Sequence, residues 1–193
     1  KINFKFRKQN ILVTFHPVTL EQDYGKNAFL NLLKFLRGLK KVGILFTSPN
    51  LDVKNNFFLK KIKMFVKINK NSILITSMGK SIYFSILNII DCMIGNSSSG
   101  VLETPKFKLP VINIGNRQTG RFQNKNIINL ESNFRVQNIK KKLYQATSKS
   151  FKKKISKIKD LNYKGNTSLK ILKILKSVNL KKTKTKKFYD VKF

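Results

Sequence analysis

Cysteine occurs once in the 193 residues, as Cys92 within an apolar run. No disulfide framework and no cysteine-based zinc site can form within such a chain, no metal site is expected, and a reducing, cytoplasmic setting fits. Long hydrophobic runs are also lacking. No stretch approaches the ~20 apolar residues that cross a bilayer, so no membrane partner is expected. The opening Lys1-Ile2-Asn3-Phe4-Lys5 has neither the apolar centre nor the small-residue cleavage site of a secretory signal. Acidic side chains are scarce: 8 Asp+Glu stand against 41 Lys+Arg, for a net charge of +33. A charge of that size can mark a nucleic-acid or acidic-membrane surface. Lys, Asn, Ile and Phe are abundant throughout, however, as AT-rich codons produce, and the basic residues are scattered rather than gathered in one stripe. The charge is therefore read mainly as codon usage, and nucleic acid is not the expected partner. One true basic run, Lys181 to Lys187, marks a tail or a phosphate-binding patch.

The chain is long enough to bury a core of ordinary size without staples. Its apolar segments alternate in kind. Asn10 to Phe15, Val42 to Thr47, Ser72 to Thr76, Cys92 to Gly95 and Pro110 to Ile114 are short, β-rich and nearly continuous in apolar character. That is the pattern of strands buried on both faces of a parallel sheet. Between them lie segments of helical period. Lys26 to Leu36 is apolar at 28, 29, 32, 33, 35 and 36, and 57–66 is apolar at 57, 58, 59, 62, 65 and 66. Shorter helical pieces are expected at 81–90, 101–107, 138–146 and 168–176, and 152–159 reads as a basic helix or loop. The order predicts an α/β domain with a doubly wound, Rossmann-like parallel sheet and right-handed crossovers. Ligands of such sheets lie at the carboxyl ends of the strands, so the residues just past each strand matter most.

After the fourth strand comes Gly95-Asn-Ser-Ser-Ser-Gly-Val-Leu-Glu103. Small residues let backbone N–H groups approach an anion, serine hydroxyls add donors, and a phosphate is the natural guest. An ordinary strand-to-helix turn with serine caps has much the same composition. Glu103 favours the binding reading, because a carboxylate one turn on can accept from ribose hydroxyls, although first-turn acids also occur simply to offset the helix dipole. After the first strand, Phe15-His-Pro-Val-Thr19 carries the chain's single histidine, where an imidazole can donate to phosphate or transfer a proton. A lone loop histidine is more often merely solvated. After the fifth strand, Arg117 and Arg121 flank a glycine-containing loop and offer planar donors, Arg121 being the easier to dismiss as a surface cation.

These segments together resemble the sialic-acid-type branch of the hydrolysing UDP-N-acetylglucosamine 2-epimerases. The resemblance spans nearly the whole chain and adds Ser48-Pro-Asn-Leu-Asp52, Ser77-Met-Gly79, Tyr163-Lys-Gly-Asn-Thr-Ser168 and Lys187-Phe-Tyr-Asp190. It implies the second, nucleotide-binding domain of a GT-B architecture over 1–180, a basic tail over 181–193, and a first domain that this stretch does not contain. By the resemblance, Ser97 and Ser98 bind the diphosphate, Glu103 the ribose, Arg117 and Asn50 line the nucleotide pocket, and the backbone near Met78 meets the uracil. His16 matches the catalytic histidine beside the leaving diphosphate. The reaction so implied eliminates UDP across C1 and C2, adds water with inversion at C2, and releases N-acetylmannosamine or a diacetamido analogue for nonulosonic acid synthesis. It uses no cofactor. The principal carboxylates come from the first domain, so this stretch alone is expected to be inactive. The partners implied are UDP or a UDP-sugar, the missing domain, and further copies in a homo-oligomer. After Asp52 the chain departs from the family, with Val53-Lys-Asn-Asn56 in place of small residues and a basic side chain, so no phosphate contact is assigned to that loop. The alternatives are the nucleotide-binding domain of a GT-B glycosyltransferase and a basic nucleic-acid-binding domain.

Overall fold

A computed structural model describes residues 3–50, 54–158 and 165–178. The chain divides into two compact units, Lys1–Asp160 and Leu161–Phe193. The first holds six strands: β1 (Gln9–Thr14), β2 (Val42–Thr47), β3 (Ser72–Ile75), β4 (Cys92–Gly95), β5 (Val111–Ile114) and β6 (Ile127–Leu130). They form one sheet in the order β3-β2-β1-β4-β5-β6, every neighbouring pair parallel. The first five fall on the segments the apolar runs mark. The sixth has no counterpart among those runs, because its four residues alternate in burial at the sheet edge and give no continuous apolar signal.

Six helices accompany the sheet: α1 (Lys26–Arg37), α2 (Asn55–Ile68), α3 (Gly79–Ile89), α4 (Ser99–Leu102), α5 (Val136–Thr147) and α6 (Lys149–Ser156). In α1 the buried residues are Ala28, Phe29, Leu32, Leu33, Phe35 and Leu36, the six positions of its 3.6-residue stripe. The expected helix over 101–107 resolves into two pieces, the single turn α4 and a 3-10 turn at Thr104–Phe107 with Pro105 near its start. Proline in place of a helix-continuing residue accounts for the break. The basic 152–159 segment is helical as far as Ser156, in α6. Ser148 Oγ accepts from the Phe151 N–H to cap it, and Phe151 and Ile155 bury one face.

Successive strand residues feed opposite layers of the core. Ile11, Val13, Ile44, Phe46, Cys92 and Ile94 join side chains from α1, α2, α5 and α6, whereas Leu12, Leu45 and Met93 join Ile86 and Leu87 of α3 and Leu109. This two-sided burial is what continuous apolar strands require. The second unit is described only at 165–178, where α7 (Thr167–Ser177) has no buried residue. The 181–193 tail, Tyr163, Lys164 and the Lys187–Asp190 segment lie outside the described residues.

The strand order places the reversal of winding between β1 and β4. Helices leave opposite sheet faces there, and the crevice beyond the strand ends is where open α/β sheets take ligands. Thr14 pairs with Gly95 at that point. Gly95 has φ +147°, and a Cβ on it would stand 1.8 Å from the Thr14 carbonyl oxygen. Only glycine lets the two strand ends close to this distance.

Candidate functional site

Two loops leave the crevice side by side, one after β1 and one after β4. The β1 loop is anchored by Phe15, whose ring packs 5.3 Å from Phe29 of α1 and 6.0 Å from Phe58 of α2 between centroids. His16 comes next and is only 6% exposed. Asn96, the residue after Gly95, holds the His16 backbone at both ends. Its Oδ1 accepts from the His16 N–H at 2.8 Å, and its Nδ2 donates to the His16 carbonyl at 2.8 Å. Such paired bonds fix the loop as a strand ladder would. The imidazole is oriented as well, since the Asn50 backbone N–H donates to His16 Nδ1 at 3.0 Å. With Nδ1 accepting, the proton of the neutral ring sits on Nε2.

The Asn96 carbonyl gathers the β5 loop to the same point. It accepts from Gln118 Nε2 at 2.8 Å and from Arg117 Nη1 at 3.3 Å. His16 and Arg117 are therefore one residue apart through Asn96. Gln118 is 1% exposed, and its Oε1 is a buried acceptor with no partner among the described residues.

On the other side of the crevice a cavity of about 260 Å³ opens at the ends of β1, β2 and β3, lined by Thr14, Thr47, Met78, Tyr83, Ser97 and Ser99 among others. Its floor is tied together by the Thr47 hydroxyl donating to Thr14 Oγ1 at 2.9 Å. Met78 sits just before α3, and Ser97 Oγ accepts from the Ser99 N–H at 3.3 Å. Among the described residues no backbone carbonyl accepts from the N–H of Ser97 or of Ser98. Hydroxyls and the Ser97 N–H at this hollow, with Ser98 next in the chain, have the make-up of an anion cradle. Because α4 is a single turn, the helix dipole adds little, and the cradle rests on these donors.

Glu103 lies just past α4, half-buried, and its Oε2 accepts from Ser99 Oγ at 2.5 Å. Ser99 in turn meets the Tyr83 hydroxyl. Burial raises the Tyr83 phenol to about 12; its Ser99 hydrogen bond offsets part of that rise, and the Glu103 charge adds a smaller push upward. The hydroxyl therefore stays protonated at neutral pH. Cys92, buried in the core, is pushed up even further by burial, which keeps it a thiol rather than a nucleophile or ligand.

Of the residues singled out in the sequence, Ser97 and Met78 line the cavity, and Glu103 reaches it through Ser99. His16 and Arg117 bond Asn96, and Asn50 bonds His16. Ser98 precedes α4 and gives its carbonyl to the Val101 and Leu102 N–H groups, with its side chain making no cap. Asp52 and Val53 lie outside the described residues. Asn96, Ser99, Tyr83 and Gln118 were not singled out. Their partners lie 4 to 80 residues away in sequence, so only the spacing of Ser99 and Glu103, i to i+4, could have signalled a contact. Among the described residues no three His, Cys, Asp or Glu side chains gather to hold a metal, and no helix is long and apolar enough to cross a membrane.

Comparison with known proteins shows what the chain as a whole is similar to. The hydrolysing GDP/UDP-N,N'-diacetylbacillosamine 2-epimerase of Campylobacter jejuni is 36% identical over 192 residues, covering 98% of this chain and 49% of that protein. Polysialic acid biosynthesis protein P7 of Escherichia coli is 30% identical, over 95% of this chain and 47% of its own length. The structure of S. aureus MnaA with UDP superposes with a TM-score of 0.68 at 14% identity, over 91% of this chain and 48% of that one. The chain thus spans about half the length of the relatives it matches, and its Rossmann-like sheet corresponds to one domain of their GT-B architecture. The model of the UDP-N-acetylglucosamine 2-epimerase family matches residues 1–176, and the chain belongs to that family.

Proposed function

We propose that this chain is the UDP-binding half of a hydrolysing 2-epimerase acting on a UDP-linked 2-acetamido or diacetamido sugar in the cytoplasm. One observation carries the reading: a buried, oriented histidine and a serine-lined anion cradle meet at the switch point of the sheet through a single residue, Asn96. The C. jejuni relative's name supports the hydrolysing type and the diacetamido sugar, and the S. aureus structure supports UDP.

In this reading Ser97 and Ser98 donate to the diphosphate, and Arg117 adds a planar cation beside it. His16 presents its Nε2 proton to the departing phosphate oxygen, which speeds cleavage of the C1–O bond by neutralising charge as it develops. Glu103 accepts from the ribose hydroxyls, and the backbone near Met78 and the loop at Asn50 bound the nucleoside. The carboxylates that remove the C2 proton and deliver water belong to the other domain, so the catalytic cycle needs both halves, and the assembled enzyme is a homo-oligomer. The products are UDP and the free sugar inverted at C2, N-acetylmannosamine or its diacetamido counterpart, suited to nonulosonic acid synthesis.

UDP at about 100 times its dissociation constant should stabilise the full-length protein by about 2.7 kcal/mol, read as a rise in melting temperature, and Glu103→Ala should remove most of the rise. A melting temperature indifferent to UDP would overturn the assignment. Release of a free sugar, rather than its transfer to an acceptor, separates this enzyme from a glycosyltransferase.

A further inference from the structure

We infer that Tyr83 is a positioning residue, which aligns the ribose-binding carboxylate of Glu103 through Ser99. The inference rests on the nucleotide-binding reading above and extends it to a residue outside the serine turn. Three side chains from two stretches, α3 and the α4 turn, form one line. The Tyr83 hydroxyl, in α3, meets Ser99 Oγ at the start of α4, and Ser99 Oγ donates to Glu103 Oε2.

The direction of the line is fixed by chemistry. A carboxylate only accepts, so the Ser99 proton is committed to Glu103. Ser99 Oγ must then accept from Tyr83, and the phenol is able to donate because it stays protonated far above neutrality. Each hydroxyl polarises the next, so removing the first weakens and loosens the last bond. The contact uses Oε2 and leaves Oε1 for the ligand. A vicinal diol is recognised when both of its hydroxyls find acceptors at set positions. A carboxylate free to turn about its last two torsions would offer them in many orientations and lose rotamer entropy on binding. Tyr83 and Ser99 also line the cavity at the strand ends, so the relay forms part of the wall that the nucleotide meets.

The test uses the full-length protein with two probes, UDP and its 2′,3′-dideoxy analogue, whose affinities are measured by calorimetry. Wild type should prefer UDP, and Glu103→Ala should bring the ratio of the two dissociation constants close to one. Tyr83→Phe, which deletes only the hydroxyl, should weaken UDP about fivefold and leave the dideoxy analogue unchanged. Ser99→Ala, which breaks the relay from its other end, should do the same. Equal losses for both probes in both variants would mark a merely structural role and overturn the inference. So would a ratio unaltered in Tyr83→Phe and Ser99→Ala but collapsed in Glu103→Ala, with the nucleotide reading left standing. A wild-type protein that binds both probes alike would overturn the inference and leave nucleotide binding standing, whereas one that binds neither would overturn both.

Discussion

Tyr83 is placed to give a pH-dependent stability signal. Burial, then the Glu103 charge, raises its phenol from 10 to about 12 in the folded chain. A raised value means that the protonated form is the one the fold accommodates. The corresponding stability is complete below pH 10, where the unfolded chain is protonated too, and is lost as pH climbs through 10 towards 12. Other groups titrate in that range, so the comparison is with Tyr83→Phe, which has no proton to lose. The difference in unfolding free energy between the two proteins should be constant up to about pH 9.5. It should then shift in favour of the phenylalanine variant by on the order of 2 kcal/mol by pH 12. Urea denaturation at pH 9 and at pH 11.5 measures it, and a gap that stays the same at both would show that the phenol reaches solvent.

At the scale of elements, the site depends on how closely β1 and β4 finish. Thr14 and Gly95 are paired there, and the φ of +147° at Gly95 belongs to glycine alone. Gly95→Ala must either part the strands or rebuild the Asn96 contacts to His16. It should cost at least about 3 kcal/mol, seen as a lower urea midpoint, or prevent folding, whereas alanine at Gly120, where a Cβ meets nothing within 4 Å, carries only backbone strain on the order of 1 kcal/mol. A Gly95→Ala protein as stable as wild type would mean that the strand ends do not approach as described. Much of this architecture is legible in the residues. Five strands and the stripe of α1 follow from apolar period alone, because their apolar side chains pack into the core, those of the half-buried β3 included. β6 is not legible, since its alternating burial over four residues resembles a loop edge. The site is legible wherever position along a strand decides it: His16, Ser97 and Arg117 stand just beyond β1, β4 and β5. It is illegible where tertiary contact decides, as with Asn96, whose side chain serves a residue 80 positions away, and Tyr83, which reads as one more aromatic on a helix.

For the molecule as a whole, the net charge of +33 must act on the fold whatever its origin. The helices give it little internal relief. None carries an acid in its first turn, while α1, α2, α6 and α7 carry lysine or arginine in their last turns, where the dipole favours cations. Among the described residues an ion pair forms between Lys152 and Asp91 at 2.9 Å, away from the crevice at the amino end of β4. Repulsion among unpaired lysines therefore opposes compaction, and salt screens it, with a Debye length near 30 Å at 0.01 M falling to about 8 Å at 0.15 M. Raising sodium chloride from about 0.01 to 0.15 M should lift the melting temperature of the unliganded protein by a few degrees. The same screening weakens the pull on an anionic nucleotide, so the dissociation constant for UDP should rise over that interval while the protein becomes more stable. The contacts proposed for Ser97, Ser98, Glu103 and Arg117 should keep this loss modest, a few-fold at most. Binding to a random DNA duplex, which would rest on phosphate contacts alone, should fall by about three orders of magnitude for a footprint of six phosphates between 0.05 and 0.2 M salt. The two salt slopes, taken by calorimetry for UDP and by fluorescence anisotropy for labelled DNA, therefore separate a nucleotide site that happens to lie in a basic chain from a basic surface selected to hold nucleic acid. A steep slope for UDP together with tight DNA binding at 0.2 M would reverse the assignment.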